Sequence, residues 1–173
     1  MDFEALRTAT LGFVEAHKAW TPVITGILAF CESIAFLSLL VPATVILVGI
    51  GALVGAADIP FWPVVLAAAI GATLGDWISY EFGFYYKSGA KRMWPMRNYP
   101  EMVAKAEAFL HRWGAGAVAL GRFFGPARAV VPLIAGVFGV ERLHFQIANV
   151  LSALVWAFVL LAPGAGLLTW FQG

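Results

Sequence analysis

The chain has 173 residues, of which 61% are hydrophobic and 12% are charged. An ordinary soluble domain carries about 25% charged residues, so this composition argues against a water-soluble protein with a single core and predicts an integral membrane protein. The formal net charge is +1, which gives no general attraction to nucleic acid. Cys31 is the one cysteine of the sequence, so no internal disulfide can form.

Apolar residues recur at helical spacing near the start of the chain, between Phe3 and Val14. We therefore expect residues 1–20 to hold an amphipathic helix that lies on the membrane surface. The same stretch contains acidic residues and lacks a basic segment followed by an apolar run. We expect it not to act as a cleavable signal peptide.

Two apolar blocks follow, which we take as two repeats at residues 22–84 and 114–170. Each block ends in one stretch, 60–83 in the first and 145–170 in the second, that is long and apolar enough for a transmembrane helix. A spanning helix needs about 20 apolar residues. The sequence thus predicts one full crossing per block.

The remaining parts of the blocks, residues 22–57 and 114–140, are apolar but interrupted. Pro42 breaks the first, and Pro126 and Pro132 break the second. This pattern predicts re-entrant helical hairpins that enter the bilayer, break and leave on the same side. Broken backbone at membrane depth is tolerated only where it is buried in protein or lines a cavity.

The two blocks share a plan and a few identities at an offset of 84 residues, where Pro42 and Ala43 fall on Pro126 and Ala127. One re-entrant hairpin and one crossing per block would give the two blocks opposite orientations. Such an inverted repeat is a common transporter plan, with the site where the broken segments meet. The predicted fold is therefore an all-α integral membrane protein, with a single membrane domain over residues 1–173.

Between the blocks, residues 85–113 form a basic linker. By the positive-inside rule we expect this linker to face the cytoplasm. Pro100 can begin a short amphipathic helix that runs to Leu110. The linker's basic residues are Lys87, Lys91, Arg92, Arg97, Lys105 and Arg112.

Four charged residues lie in apolar surroundings: Glu32, Asp76, Arg122 and Arg128. A lone charge at the centre of a membrane helix costs about 2.5–3.5 kcal/mol on the insertion scale. Two acids and two bases can offset this cost by pairing. They form either a structural network that clamps the hairpins together or a polar site that a substrate reaches, which is the default for ionisable groups inside a membrane.

The two arginines flank Gly125 and Pro126 in the stretch "GRFFGPAR". A half-helix that begins near Pro126 or Pro132 would direct free N–H groups and the positive end of its dipole at the break. The planar guanidinium fork suits a phosphate group better than lysine does. We expect Arg122 and Arg128 to bind the phosphate of a lipid.

The other polar groups have supporting roles in this hypothesis. Glu32 is either a proton carrier or a counter-ion, and Asp76 pairs with an arginine or orients one. Tyr80 lies one helical turn beyond Asp76, and Asn149 lies on the last predicted span. Asn149 and Trp156 are more commonly packing residues than chemical ones.

The sequence offers little for catalysis. The three histidines, His17, His111 and His144, are too scattered for a metal site, and we expect no metal and no cofactor. No phosphate-binding loop and no serine nucleophile motif is present. A lipid phosphatase would need a nucleophile such as His144 with a second histidine near it, so we expect a transporter and not an enzyme.

The run "FLHRWGAGAVALGRFFGPARAVVPLIAGVFGVERLHFQIANVLSALVW", residues 109–156, resembles the DedA family of membrane proteins, also called the VTT or SNARE-associated domain family. The proline of the family's G-R-F-x-P-x-x-R pattern falls one place later here. "GDWISY" at 75–80 and Glu32 before a proline break add to the likeness. Where many members carry an acid after the first break, this chain has Thr44.

The resemblance implies two re-entrant hairpins and the movement of lipids across a bilayer. Bacterial relatives are linked to undecaprenyl phosphate recycling, some with dependence on the proton-motive force, and eukaryotic relatives scramble phospholipids. By motif position, Glu32, Arg122 and Arg128 inherit the functional roles. Thr44 weakens the case for a proton relay with two acids.

We therefore expect a flippase or scramblase of the bacterial cytoplasmic (inner) membrane that supports the cell envelope. Its partners would be membrane lipids, either polyprenyl phosphate (undecaprenyl phosphate first) or phospholipid, together with protons, and not nucleic acid. The main alternative is a proton-coupled exporter of small solutes that supports membrane homeostasis. A structural or assembly role and a homo-oligomer are left open.

Overall fold

A computed structural model describes residues 18–34, 43–87, 89, 96–98, 100–124 and 127–166. These residues form helices joined by turns, with no β-strand among them, as an all-α fold requires. The expected surface helix at residues 1–20 falls almost wholly outside them. The helices are α1 Thr21–Ser33, α2 Ala43–Ala56, α3 Phe61–Tyr86, α4 Pro100–Trp113, α5 Gly116–Gly121, α6 Ala127–Val137 and α7 Arg142–Leu161, with short 3₁₀ turns at Lys18–Trp20 and Met96–Asn98.

Helices α3 and α7 are long and apolar enough to cross a membrane. At about 1.5 Å per residue, the 26 residues of α3 extend about 39 Å and the 20 residues of α7 about 30 Å. The hydrocarbon core of a bilayer is about 30 Å thick. One long apolar helix at the end of each block is thereby confirmed, although α7 ends at Leu161, before the predicted limit.

Helix α3 lies at the centre, in contact with α1, α6 and α7. Glycines allow α1 to lie directly against it. A Cβ added at Gly71 would lie 2.0 Å from the carbonyl oxygen of Gly26, and one at Gly75 would lie 2.8 Å from the Cβ of Ser33. Larger residues would force the helices apart. The close contact places the end of α1 beside Asp76.

Helix α6 corrects one expectation about the hairpin break. Pro132 lies inside Ala127–Val137 and does not begin or end a helix. A proline in a helix interior removes one i→i−4 hydrogen bond, and the ring clashes with the preceding turn. The buried neighbours of Pro132, including Val131, Leu133 and Ile134, keep the helix packed despite that cost. The break itself lies before Ala127, and the break residues Pro42, Gly125 and Pro126 lie outside the described residues.

Each interrupted segment contains two helices that contact each other, α1 with α2 and α5 with α6. The re-entrant course of these pairs and the inverted repeat stay predictions. In the linker, the expected helix from Pro100 is confirmed and continues to Trp113. This helix, α4, packs on α5 and α6.

Two apolar clusters make up the described core. The first joins α1, α2, the first half of α3 and the end of α7, and the second joins the end of α3 with α4, α5, α6 and the start of α7. Along α3, Asp76 and Ser79 lie between Ala72 of the first cluster and Tyr80 of the second. Asn149 separates the same two clusters on α7. A buried polar layer thus lies between two apolar ones.

Candidate functional site

Arg122 is the most connected residue of this polar layer, and only 4% of its surface is exposed. Its Nη2 donates to the carboxylate of Asp76 and, at 2.6 Å, to Oδ1 of Asn149. Its Nε donates to Oγ of Ser152 at 3.1 Å. Asn149 in turn donates from Nδ2 to the backbone carbonyl of Thr73 at 3.0 Å. Arg122 therefore ties the end of α5 to both long helices.

Arg128 forms a second ion pair, with Glu32. Its Nη1 lies 2.8 Å from Oε1 of Glu32, and its Nη2 donates to Oγ of Ser33 at 3.3 Å. The guanidinium carbon lies 4.5 Å from the ring centroid of Trp156, within the range of a cation–π contact. Helices α1, α6 and α7 meet at this one side chain.

The backbone explains why Arg128 in particular needs an acidic partner. Arg122 directly follows α5, and Arg128 is the second residue of α6. The first turn of a helix has unpaired N–H groups and a partial positive charge, so it disfavours a cation and favours an anion. Pro132 has no N–H to donate to the carbonyl of Arg128, four residues earlier. Glu32 offsets the positive charge at this helix start.

An open cavity of about 400 Å³ reaches both arginines. Ligand pockets commonly measure about 300–1,000 Å³. Apart from the two guanidinium groups, its lining is apolar. The lining residues are Val48, Arg122, Phe123, Arg128, Trp156, Val159, Leu160 and Pro163.

The structure brings together most of the residues that the sequence singled out. Each predicted arginine pairs with one predicted acid, and Asn149 joins the Arg122 pair. Tyr80 is placed elsewhere, because its hydroxyl donates to the carbonyl of Val140 and its ring stacks on Phe145. Its part in the fold is to hold the turn between α6 and α7.

Sequence reasoning missed Ser33 and Ser152, and it treated Trp156 as packing. A periodic signal existed for two of them. Asn149, Ser152 and Trp156 are spaced three and four residues apart, which places them on one face of α7. Ser33 follows Glu32 directly and gave no such signal.

Charge in the layer is balanced, since each arginine has one carboxylate. One donor is still available for a ligand: Nη1 of Arg122 is buried and has no hydrogen-bond partner among the described residues. A buried unpaired donor costs about 1–3 kcal/mol, more when the group is charged. An anion could satisfy this donor if the lining around it opened, because the atom itself is buried, and it could bind Arg128 by exchange with Glu32.

Comparison with known proteins agrees with the membrane architecture. The VTT domain family matches residues 41–166. The inner membrane protein YabI of Escherichia coli K12 is 32% identical over 152 residues, which are 88% of this chain and 60% of that protein. An uncharacterized membrane protein of Buchnera aphidicola (Schizaphis graminum) is 31% identical over 142 residues, 82% of this chain and 56% of that one.

The inner membrane protein YqjA of Escherichia coli K12 is 27% identical over 139 residues, covering 80% of this chain and 63% of that protein. The chain spans about 60% of the length of these relatives. Solved structures gave no match. The family match covers well over half of the chain. It includes Asp76, Arg122 and Arg128, whereas Glu32 precedes the matched residues. The chain is an integral membrane protein and belongs to the VTT domain family, the DedA family.

Proposed function

We propose that this protein is a transporter, and not an enzyme, that moves a phosphate-bearing lipid across the membrane as a flippase or scramblase. Undecaprenyl phosphate is the first candidate. One observation carries the proposal: a cavity that reaches Arg122 and Arg128 is apolar elsewhere in its lining. A phosphate bound at the arginines would leave its hydrocarbon tail against apolar walls.

The case for an anion rests on donors. Nη1 of Arg122 lacks a partner among the described residues, and Arg128 lies in the first turn of α6, where free N–H groups favour negative charge. Arginine donates through a planar fork that fits two phosphate oxygens at once. Both features favour an oxyanion over a neutral solute.

The case for a lipid rests on the surface around the cavity. Val48, Phe123 and Val159 line it, yet they are 46%, 50% and 55% exposed. In a membrane protein, exposed apolar side chains of this kind contact lipid. The cavity is therefore open toward the lipid phase, and a substrate could enter it sideways from a leaflet.

The proposal includes the topology that the sequence predicts. The pairs α1–α2 and α5–α6 would be re-entrant hairpins, related as an inverted repeat. Linker 85–113 would face the cytoplasm. Two relatives are named inner membrane proteins, which supports the same location for this chain. The arginines and their acids would then lie where the two hairpins meet, the usual place for a transporter site.

A proton-coupled exporter of small solutes is the second candidate. The buried ion pairs favour it, because Glu32 or Asp76 could take up a proton and release an arginine. The cavity would accommodate a small solute. The apolar, laterally open lining supports the lipid over this alternative.

The test is reconstitution of the purified protein into vesicles with a labelled polyprenyl phosphate in one leaflet. We expect the protein to accelerate appearance of the phosphate in the other leaflet, compared with protein-free vesicles and with Arg128→Ala. A polyprenyl alcohol should show no such difference between wild type and variant. Proton-driven movement of small cations or drugs without any movement of the phosphate lipid would favour the exporter instead.

A further inference from the structure

The guanidinium of Arg128 is occupied on three sides. Its donors contact Oε1 of Glu32 at 2.8 Å and Oγ of Ser33 at 3.3 Å, and its face lies on Trp156. Only 11% of the side chain is exposed. A phosphate must approach the same in-plane edge of the guanidinium and would lie beside the carboxylate, because the donors lie in that plane and the faces have none.

Among the described residues, few charged groups lie around this pair. Asp76 of α3 is paired with Arg122, and both arginines act electrostatically on it. Helix α2 carries no charged residue, and the residue that α7 presents to Arg128 is Trp156. With two acids and two bases, the site is neutral while both acids are ionised. An incoming oxyanion would then add unbalanced negative charge in a medium of low dielectric.

We infer that the Glu32 carboxylate and the oxyanion of the substrate compete for the charge and the in-plane donors of Arg128, while Trp156 holds the guanidinium in place during the exchange. The inference rests on the proposed function. Glu32 is then a resident stand-in for the substrate phosphate. Glu32 stops competing when it takes up a proton or is replaced by a neutral residue. The site then has one net positive charge.

The sign of the effect separates this competition from a simple clamp. If Glu32 only held Arg128 in position, Glu32→Gln would weaken the binding of an anion. Competition demands the reverse, and one charge-assisted hydrogen bond corresponds to roughly a 10-fold or larger change in affinity.

The experiment titrates purified wild type and Glu32→Gln with polyprenyl phosphate and with polyprenyl sulfate, whose single charge does not change with pH. We expect Glu32→Gln to bind both about 10-fold more tightly or better. The double variant Glu32→Gln, Arg128→Ala should lose that gain. Equal or weaker binding by Glu32→Gln, with wild type still binding, would overturn the competition and leave the proposed function intact.

A second variant tests the same competition. Glu32→Ala also removes the carboxylate, with no amide in its place, and it should likewise bind the sulfate about 10-fold more tightly or better. A folded Glu32→Ala with no gain in affinity overturns the inference even if Glu32→Gln does not fold. If neither wild type nor any variant binds a polyprenyl anion, the proposed function fails together with this inference.

Discussion

The guanidinium carbon of Arg128 lies 4.5 Å from the ring centroid of Trp156. The contact joins the first turn of α6 to the last third of α7. A cation over an indole face gains about 0.5–2 kcal/mol, with the larger values where the group is desolvated. Trp156 is 6% exposed, so this contact belongs to the desolvated class.

Trp156 should therefore position Arg128 and not merely fill space. We expect Trp156→Leu to weaken binding of polyprenyl phosphate roughly 3- to 30-fold, and Trp156→Phe to retain part of the affinity because a smaller aromatic face remains. Titration of the purified variants measures this. Equal affinities for the leucine and phenylalanine variants would show that packing volume, and not the ring face, is what matters.

The two arginines should differ in what they do for stability. Arg122→Ala leaves the carboxylate of Asp76 buried without its cation, and breaking such a pair costs about 3–5 kcal/mol. Arg142→Ala is a matched control, because Arg142 pairs with Glu81 while 52% of its side chain is exposed. Exposed pairs are screened by solvent and contribute little to stability.

Thermal melts in detergent should show a clear loss for Arg122→Ala, a smaller one for Arg128→Ala and little change for Arg142→Ala. The double variant Arg122→Ala, Asp76→Asn should recover part of the loss, because it removes the unpaired charge. Similar melting temperatures for Arg122→Ala and Arg142→Ala would contradict a central role for the Arg122 network.

Lysine should replace Arg128 only in part. Losing one charge-assisted hydrogen bond costs about 1.5–3 kcal/mol, so we expect Arg128→Ala to bind polyprenyl phosphate roughly 10- to 150-fold more weakly. Arg128→Lys keeps the charge and loses the fork, and its affinity should fall between the two. The same titration with the polyprenyl alcohol is the control. Wild-type affinity in a folded Arg128→Ala would rule out an anion site at this residue.

Glu32→Gln should uncouple transport from a proton gradient. The amide keeps the shape of the carboxyl group and cannot carry a proton, so lipid movement in vesicles should become equal with and without an imposed gradient. The variant leaves Arg128 without its anion, so a thermal melt of the purified protein confirms folding before transport is measured. Transport by Glu32→Gln that still responds to the gradient would point to Asp76 as the carrier.

The basic linker gives a test of topology. Asn98 is exposed in the described part of the linker. With Cys31 replaced by serine, a cysteine at Asn98 should resist an impermeant thiol reagent in intact cells and react after the membrane is permeabilised. Labelling in intact cells would reverse the orientation that the positive-inside rule predicts.

Composition and periodicity determined the class of the protein. A low charged fraction and two long apolar stretches required a membrane, and these stretches became α3 and α7. Both are local properties, since a helix is specified by residues three and four positions apart. The four charges of the candidate site could also be identified from the sequence, because an ionisable residue in an apolar segment is costly in any fold.

The partners of those charges were decided only by the tertiary structure. Arg122 and Asp76 are 46 residues apart in sequence, and Arg128 and Glu32 are 96 apart. Two acids and two bases can pair in either of two ways, and nothing local chooses between them. The choice follows from the position of each arginine: Arg122 lies beside Asn149 and Ser152 of α7, whereas Arg128 lies beside Ser33 of α1.

Pro132 and Trp156 are two further residues whose surroundings were decided by the tertiary structure. A proline in an apolar run predicts a break, yet packing around Pro132 keeps α6 continuous. A tryptophan on an apolar helix predicts packing, yet a cation from a distant segment lies on its ring. The sequence determined which charged residues lie in apolar segments and must be kept away from lipid. The approach of the helices decided which of these residues meet, because that depends on contacts between segments far apart in the chain.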